Sequence, residues 1–266
     1  MPEIPEVEAY KDCIKRNCLN KIIEDVESAA KSLKTLIGKK FTSVERKGKY
    51  LVISLGSSDK ILIMHFGMTG FLFYSKNIDK KVRFSRVNFI FKDKSVLHFI
   101  DMRKFGKIWL TKDVEKIIGK LGIDALKISK KEYLELTEKN KTKNIKAFLM
   151  DQEDIAGIGN EYADEILFQS GIDPHHKIED LSNKNLENIY KEISKVLKYS
   201  TKLRIKDIRQ MPEQAFFTKD DRYTFKSSYL QAHRHVDMIC PKNKSHKLKT
   251  ATIAGRTTYY CPKDQK

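Results

Sequence analysis

The segment ILIMHFGMTGFLFY, from Ile61 to Tyr74, is the longest mostly apolar stretch of a 266-residue chain. A helix that crosses a bilayer needs about 20 apolar residues, and this segment is shorter than that. It also contains His65 and two glycines, Gly67 and Gly70. We therefore expect a buried strand here and exclude a membrane span.

Further β-rich runs lie on both sides of this segment and are separated by turn-like clusters of Gly, Ser, Asp and Lys. They read KYLVISL, RVNFIFKD, SVLHFID and KIWLTK, in that order, between residues 49 and 112. Several short strands in succession predict a β-sandwich.

The chain before these strands predicts a helix from Pro5 to about Cys18. Pro5 suits the first helical position, and the carboxylates of Glu6 and Glu8 suit the positive end of a helix dipole. The apolar residues at helical spacing are Val7, Tyr10, Ile14 and Cys18. A helix should therefore precede the sandwich.

After about residue 127 the apolar period changes to that of helices. The groups at helical spacing are Ile145/Phe148/Leu149, Tyr162/Ile166/Leu167, and a run from Leu186 to Leu197 that follows the predicted cap Ser182. The tail carries two Cys-Pro pairs around a Thr-rich hairpin. We divide this α+β chain into a β-sandwich domain (1–127), a helical domain (128–232) and a β-finger (233–266).

The charge balance indicates a nucleic-acid partner. The chain has 52 Lys+Arg against 35 Asp+Glu, a net charge of +17 and a sequence pI near 9.5, which suits a phosphate backbone. The alternative is a Lys-rich surface that reflects genomic composition or solubility. Membrane binding is disfavoured because no lysine-rich amphipathic helix with a bulky apolar face is present. Without a signal segment at the N-terminus, we expect a cytoplasmic protein with reduced cysteines.

The first residues carry a candidate nucleophile. Removal of Met1 would leave Pro2 with a free secondary amine, and α-amino groups have pKa values of about 7.7–8.0. Glu3 would then lie beside a forming iminium as a proton donor or acceptor. The alternative is an ordinary helix start, since prolines are common there.

Six motifs occur in order along nearly the whole chain. They are PEIPEVE at the N-terminus, RKGKYL (Arg46 to Leu51), HFGMTG (His65 to Gly70), DMRKFG (Asp101 to Gly106), LMDQEDIAGIGNEYADEIL (Leu149 to Leu167) and GRTTYYCPKDQ (Gly255 to Gln265). Together they resemble the motifs of the formamidopyrimidine-DNA glycosylase/endonuclease VIII family.

The resemblance implies a bifunctional DNA glycosylase/AP lyase of base excision repair, with a helix-two-turn-helix domain after the sandwich. Pro2 would attack C1′ of a flipped, damaged nucleotide, and β- and δ-elimination would cut the strand. Glu3 would move protons, Glu6 would support it, and Lys49 would join this catalytic group. The implied partner is double-stranded DNA with oxidised bases or abasic sites. The protein would act as a nucleoid-associated monomer without a cofactor for the chemistry.

Two further residue sets follow from the resemblance. The phosphate-binding set comprises Lys49, His65, Asn160 and Arg256; their alternatives are an exposed strand lysine, a core histidine, a helix cap and a surface charge. The set that would fill the space left by the flipped base comprises Met68, Arg103 and Phe105, with core packing as the alternative for Met68 and Phe105. Lys146 matches a family lysine near the lesion pocket, and its alternative is a solvent-exposed helix lysine.

The finger departs from the family pattern of two Cys-x-x-Cys pairs. Asn243 and Asp264 replace the second thiol of each pair, so only Cys240 and Cys261 remain. Asp264 can bind zinc and His235 or His246 can complete a set, but Asn243 is a poor ligand. We expect a zincless finger that keeps the hairpin.

The segment FFTKDDRYTFKSSYLQAHRH (residues 216–235) also differs, since the formamidopyrimidine enzymes carry a glycine-rich loop there. His233 and Arg234 are closer to endonuclease VIII. The lesion preference therefore stays open between oxidised purines, which the insertion set favours, and oxidised pyrimidines. Two other classes stay open as well: a catalytically silent protein that binds damaged DNA, and a basic ribosomal or RNA-binding protein.

Overall fold

The structure is a computed structural model that describes residues 1–56, 58–76, 82–211, 230–232 and 238–266. The chain divides into two compact units. The first contains residues 1–119 and 201–211, and the second contains residues 120–200, 230–232 and 238–266. The domain limits at residues 127 and 232 stay a prediction.

The first unit contains two four-stranded sheets with the orders β1-β6-β7-β5 and β2-β3-β4-β8. Its elements are α1 (Ile4–Asn17), β1 (Ile23–Ser28), β2 (Phe41–Lys47), β3 (Tyr50–Leu55), β4 (Ile61–His65), β5 (Gly70–Ser75), β6 (Ser85–Phe91), β7 (Val96–Asp101), β8 (Lys107–Thr111) and α2 (Val114–Ile118), with a 3₁₀ helix at Lys31–Leu36. One buried core joins Phe89 and Phe99 of the first sheet, Leu51 and Leu62 of the second, and Tyr10 of α1. This shared core makes the two sheets a sandwich.

The segment from Ile61 to Tyr74 forms two strands rather than the single buried strand that the sequence predicts. β4 pairs with β3 and β8, whereas β5 pairs with β7 in the other sheet. The crossing uses Gly67 at φ +55, where a Cβ atom would lie 2.4 Å from the carbonyl carbon of Phe105. Only glycine fits this close approach.

Two strands of the first unit that the sequence analysis missed, β1 and β2, lie at sheet edges. In β1 only Ile23 and Val26 are buried, and in β2 only Phe41 is buried. Charged side chains fill most of the remaining positions, as edge strands often require. Their apolar pattern is therefore too sparse to indicate a strand.

The helix α1 begins at Ile4, one residue before its predicted start, and ends at Asn17, one residue before Cys18. Pro5 thus occupies the second helical position, where its missing N–H costs no helical hydrogen bond. Ile4, Val7, Tyr10 and Ile14 are buried, which confirms the predicted apolar stripe.

The second unit is mainly helical. Its elements are β9 (Ile123–Asp124), α3 (Lys130–Lys139), α4 (Ile145–Met150), β10 (Ile155–Ala156), α5 (Asn160–Ser170), a 3₁₀ helix at Ile178–Asp180, α6 (Asn183–Arg209), β11 (Lys249–Ile253) and β12 (Arg256–Tyr260). The Ser182 hydroxyl accepts the Asn185 N–H at 3.2 Å, which confirms the predicted cap of α6. The last residues of α6, from Thr201 onward, belong to the first unit. Among the described residues, no helix has the length and apolar character needed to cross a membrane.

Candidate active site

The first residues of the chain are fixed at the start of α1. Pro2 is buried, and Glu3 is only 1% exposed. Glu3 precedes the first helical residue, and its N–H donates to Oε2 of Glu6 at 3.1 Å. Met1 itself is 42% exposed. The residue that would carry the free amine after removal of Met1 therefore lies on a rigid, hydrogen-bonded helix start.

Arg204 holds the other oxygen of Glu6, and the sequence analysis missed it. Its Nε donates to Glu6 Oε1 at 2.9 Å, and Nη1 lies 3.4 Å from Asp207 Oδ2. Arg204 is 6% exposed. It follows the buried residues Leu197 and Ser200 at helical spacing along α6. A charged residue on the apolar stripe of a helix was the signal that could have revealed it.

Lys49 lies in a two-residue turn between β2 and β3. Gly48 has φ +54, as the first position of such a tight hairpin requires. The Arg46 guanidinium fixes this turn, because it donates to the Gly48 carbonyl at 3.0 Å and to Glu8 of α1 at 2.7 Å. Lys49 is 7% exposed, so the alternative of an exposed strand lysine is wrong.

His65 ends β4, where it pairs with Tyr50 on one side and Lys107 on the other. Burial lowers the pKa of His65, and the positive charges of Lys49 and Lys107 lower it further. The Gly67 N–H donates to Nδ1 at 3.3 Å. The imidazole is therefore neutral at neutral pH, with its proton on Nε2 as a hydrogen-bond donor.

Met68, Arg103 and Phe105 lie on two neighbouring turns, the 66–69 loop and the 102–106 loop. Met68 is 45% and Phe105 51% exposed, so core packing is wrong for both. The Arg103 guanidinium lies 5.0 Å from the centre of the Phe105 ring. Met102 is also 47% exposed, and the sequence analysis did not single it out. Several exposed apolar side chains on adjacent turns indicate a binding surface.

Asn160 and Arg256 lie in the second unit. Asn160 is the first residue of α5, and its Nδ2 donates to the Thr257 carbonyl at 3.0 Å. Gly159, rather than Asn160, is the N-cap, so the helix-cap alternative is wrong. Arg256 follows the tight turn at Ala254 and Gly255, both with positive φ, and is exposed. The hydrogen bond thus brings the start of β12 to the N-terminus of α5, which favours anions.

Lys146 is completely buried, so the alternative of a solvent-exposed lysine is wrong. Its Nζ lies 2.6 Å from Asp164 Oδ1 and donates to Thr258 Oγ1 at 2.5 Å. The other Asp164 oxygen accepts the Tyr259 N–H at 3.1 Å. The ion pair joins α4 to α5, and the two hydrogen bonds join both helices to β12. A role of Lys146 towards DNA stays a prediction.

Asp264 is the centre of a hydrogen-bond network in the finger. Its Oδ2 lies 3.0 Å from the Cys240 sulfur, 3.1 Å from the Cys261 sulfur and 2.9 Å from His246 Nδ1. These three bonds hold the pKa of Asp264 well below its usual range, and burial together with Asp264 raises the pKa of Cys240 to about 11. Cys240 is therefore a thiol donor at neutral pH.

The described residues of the finger, 238–266, do not by themselves match a structural zinc site, which takes four ligands. Only Cys240, Cys261 and Asp264 bring their ligand atoms within 4.8 Å of one another among the described residues. Asn243 accepts from Ser245 through Oδ1, so its Nδ2 faces Nε2 of His246 at 3.3 Å. The His246 proton then lies on Nδ1, directed at Asp264 rather than available for a metal.

Some predicted features lie outside the described residues. They are His235, the His233-Arg234 pair and most of the 216–235 segment. The described residues Gln231 and Ala232 donate their N–H groups to the buried Glu165 carboxylate at 2.6 and 3.0 Å. Burial raises the pKa of Glu165. This carboxylate therefore anchors the backbone of Gln231 and Ala232 to α5.

Comparison with known proteins identifies the family. A profile described as the formamidopyrimidine-DNA glycosylase N-terminal domain matches residues 1–108, and one described as its H2TH domain matches residues 121–211. Relatives named formamidopyrimidine-DNA glycosylase from Pelotomaculum thermopropionicum and Mycoplasma mobile are 32% and 33% identical. Both alignments cover all of this chain and 99% of the relative.

Similar solved structures support the same family. The chain is similar to Lactococcus lactis Fpg in a complex with abasic-site DNA (TM-score 0.83, 25% identity, 99% of each chain). It is also similar to MutM in complex with DNA containing carbocyclic 8-oxo-G (TM-score 0.81, 25% identity, all of both chains). These matches define a DNA glycosylase built from a β-sandwich and a helix-two-turn-helix domain, which confirms the predicted fold class.

The chain belongs to the formamidopyrimidine-DNA glycosylase family of base excision repair. Catalysis in this family needs no cofactor. The protein is therefore an enzyme of DNA repair. This result disfavours the two other classes, a catalytically silent protein that binds damaged DNA and a basic ribosomal or RNA-binding protein.

The hydrogen-bond network of the finger generates a testable prediction. We expect less than one zinc per purified chain and full activity in a strong chelator, because the described residues bring only three ligand atoms together. Asp264→Asn should lower the thermal midpoint of unfolding, since one amide cannot accept from all three donors. Elemental analysis with one tightly held zinc per chain would contradict this. Asp173→Asn, which removes an exposed carboxylate–histidine contact with His175, is the matched control and should change the midpoint little.

Proposed function

We propose that this member of the family is a bifunctional DNA glycosylase/AP lyase that prefers oxidised purines, 8-oxoguanine and formamidopyrimidines. Its nucleophile is the amine of Pro2 after removal of Met1. The observation that carries this proposal is the helix start, where Pro2 and Glu3 are buried and Glu6 and Arg204 hold the backbone. We also propose that the protein works as a monomer on cytoplasmic, nucleoid-associated DNA.

The chemistry uses residues at this helix start. The Pro2 lone pair attacks C1′ of the flipped nucleotide, the glycosidic bond breaks, and the base leaves with the bonding electrons and a proton. Glu3 protonates the ring oxygen, so the sugar opens to an iminium between C1′ and Pro2. Loss of a C2′ proton expels the 3′ phosphate, and a second elimination expels the 5′ phosphate. Water then hydrolyses the imine and regenerates the amine. The positive end of α1 helps to keep this amine uncharged.

DNA binding divides into backbone contacts and insertion into the base stack. Lys49 and His65 Nε2 in the first unit, and Asn160 and Arg256 in the second, supply donors and positive charge for phosphates. Base flipping leaves a gap, and apolar or planar side chains fill such gaps from the minor groove. The exposure of Met68, Arg103 and Phe105 on adjacent turns supports their assignment to this task.

The purine preference rests on this insertion set. The Arg103 guanidinium offers several donors to a cytosine left opposite the lesion. The similar MutM structure holds DNA that contains carbocyclic 8-oxo-G, which favours the same substrate class. The second candidate is an endonuclease VIII-like preference for oxidised pyrimidines, which the divergent sequence of the 216–235 segment favours.

The nucleophile has a direct test in borohydride trapping on abasic-site DNA, because only an amine lyase forms a reducible imine. Pro2→Gly should slow trapping by more than about a hundredfold, since a flexible amine is poorly aligned. One extra residue before Pro2 should abolish trapping, because an amide nitrogen is not a nucleophile. Pro5→Ala, in the same helical turn, should stay within a few fold. Full trapping by the extended protein would remove Pro2 from this role.

The phosphate contact of Arg256 should appear in the salt dependence of binding. Arg256→Ala should weaken binding to all DNA sequences alike and lower the slope of log Kd against log salt by about 0.9. Lys131→Ala removes the same charge from an exposed helix position and should leave the slope unchanged. Equal slopes for wild type and Arg256→Ala would show that Arg256 makes no phosphate contact.

Single-turnover excision decides the lesion preference. The substrates are duplexes with 8-oxoguanine opposite each of the four bases, and duplexes with thymine glycol or 5-hydroxycytosine. We expect the fastest excision for 8-oxoguanine opposite cytosine, because Arg103 recognises the orphaned base. If both pyrimidine lesions are removed much faster, the endonuclease VIII-like preference replaces this proposal.

A further inference from the structure

We propose that Asp101 is a positioning residue for base flipping, which locks the 66–69 loop and the 102–106 loop into one rigid insertion unit. The inference rests on the proposed function, because it assumes that Met68, Arg103 and Phe105 enter the base stack. Asp101 itself touches no DNA in this scheme. It is the last residue of β7 and is only 1% exposed.

The Asp101 carboxylate accepts hydrogen bonds from both loops. Oδ1 accepts from the Thr69 hydroxyl at 2.5 Å and from the Arg103 N–H at 3.2 Å. Oδ2 accepts from the Gly106 N–H at 2.6 Å. Thr69 belongs to the loop that carries Met68, whereas Arg103 and Gly106 enclose the loop that carries Phe105. One carboxylate thus links the two loops directly.

Because Asp101 is buried, its hydrogen bonds contribute strongly to the stability of the two loops. A buried carboxylate that loses a donor keeps its desolvation cost, so the loss of one hydrogen bond to it is more destabilising than the same loss at an exposed site. Arg86 strengthens the arrangement from the side, because its Nε donates to the Asp101 carbonyl at 2.7 Å. The backbone and the side chain of Asp101 are therefore both fixed.

The backbone of the 102–106 loop needs such support. Lys104 has φ +59 although it is not glycine, and residues with a Cβ atom are strained in this left-handed conformation. Lys104 lies between Arg103 and Gly106, whose N–H groups both donate to Asp101. The carboxylate thus stabilises the strained turn that directs Arg103 and Phe105 outward.

The two loops are also in van der Waals contact. A Cβ atom on Gly67 would lie 2.4 Å from the carbonyl carbon of Phe105. Any shift of one loop must therefore move the other, and Asp101 sets their common position. Insertion needs several side chains to enter one gap together, so their spacing decides how well they replace the flipped base.

The test uses a duplex with a tetrahydrofuran site and 2-aminopurine beside it, whose fluorescence rises when insertion unstacks the base. Asp101→Asn replaces one accepting oxygen with an amide N–H₂ group, which cannot accept the hydrogen bonds that this oxygen receives from the loops. We expect it to bind this duplex in low salt within about threefold of wild type, since phosphate contacts dominate affinity. Its fluorescence rise should be much smaller, and its excision from duplex DNA should fall at least about tenfold. Borohydride trapping on single-stranded abasic DNA should stay within about twofold of wild type, because no insertion is required there.

Thr69 supplies a graded second test if Asp101→Asn folds poorly. Thr69→Val removes one donor at constant shape and should reduce the fluorescence rise, whereas Thr69→Ser keeps the hydroxyl and should restore it. Asp113→Asn is the matched control, because the Asp113 carboxylate accepts the Lys116 N–H at 3.0 Å at the start of α2. That variant should lose stability but keep the fluorescence rise.

The outcomes separate the two hypotheses. An unchanged fluorescence rise in Asp101→Asn and Thr69→Val overturns the positioning role. An equal loss of duplex excision and single-strand trapping also overturns it, because that pattern indicates general damage to the fold. Failure of the wild-type protein to trap abasic DNA instead contradicts the proposed function, and that measurement needs no variant.

Discussion

The proposed chemistry depends on one constraint, that Pro2 is held in place although a chain end is normally mobile. The Glu6 carboxylate meets this constraint because it accepts the Glu3 N–H through one oxygen and the Arg204 guanidinium through the other. Behind it, Val7, Tyr10 and Ile14 are anchored in the core of the sandwich. Core packing alone fixes the helix axis, whereas the carboxylate fixes the last free turn before Pro2. The Arg204 side chain also compensates the charge of Glu6, which is largely excluded from water.

A carboxylate that accepts several hydrogen bonds also stabilises irregular backbone at three other places. Asp101 accepts hydrogen bonds from two loops, and Glu165 accepts them from the N–H groups of Gln231 and Ala232. Asp264 accepts hydrogen bonds from two thiols and an imidazole. Carboxylates are suited to this because two oxygens accept several bonds at once. In a protein of net charge +17, the acidic groups used in this way are buried or half-buried, and hydrogen bonds stabilise their charge. The excess of positive charge then remains available for a polyanion.

Sequence patterns predict features that have a local cause, and they miss features that depend on contacts between distant parts of the chain. The helix caps, the apolar stripes and the motif residues Pro2, Met68 and Arg256 follow from short-range patterns. Arg204 lies 198 positions from Glu6, and no local pattern joins them. The burial of Lys146 was likewise invisible, because its partners Asp164 and Thr258 lie on other elements. The edge strands β1 and β2 were missed because tertiary pairing, not apolar alternation, makes them strands.

The finger lacks two of the four cysteines of the family pattern, and other contacts hold its hairpin against α5. A structural zinc contributes about 10–16 kcal/mol to folding, whereas a hydrogen bond to a charged group contributes about 1.5–3 kcal/mol. The three hydrogen bonds to Asp264 therefore stabilise the finger less than a bound zinc would. Other contacts must therefore contribute to the stability of the hairpin. Phe168 of α5 packs with Cys240, Leu248 and Cys261 in one apolar cluster. Asp164 holds the Tyr259 N–H and Asn160 holds the Thr257 carbonyl. These contacts tie β12 to α5 next to Arg256, so α5 itself fixes the end of the hairpin for which we propose phosphate binding, whether or not the finger binds a metal.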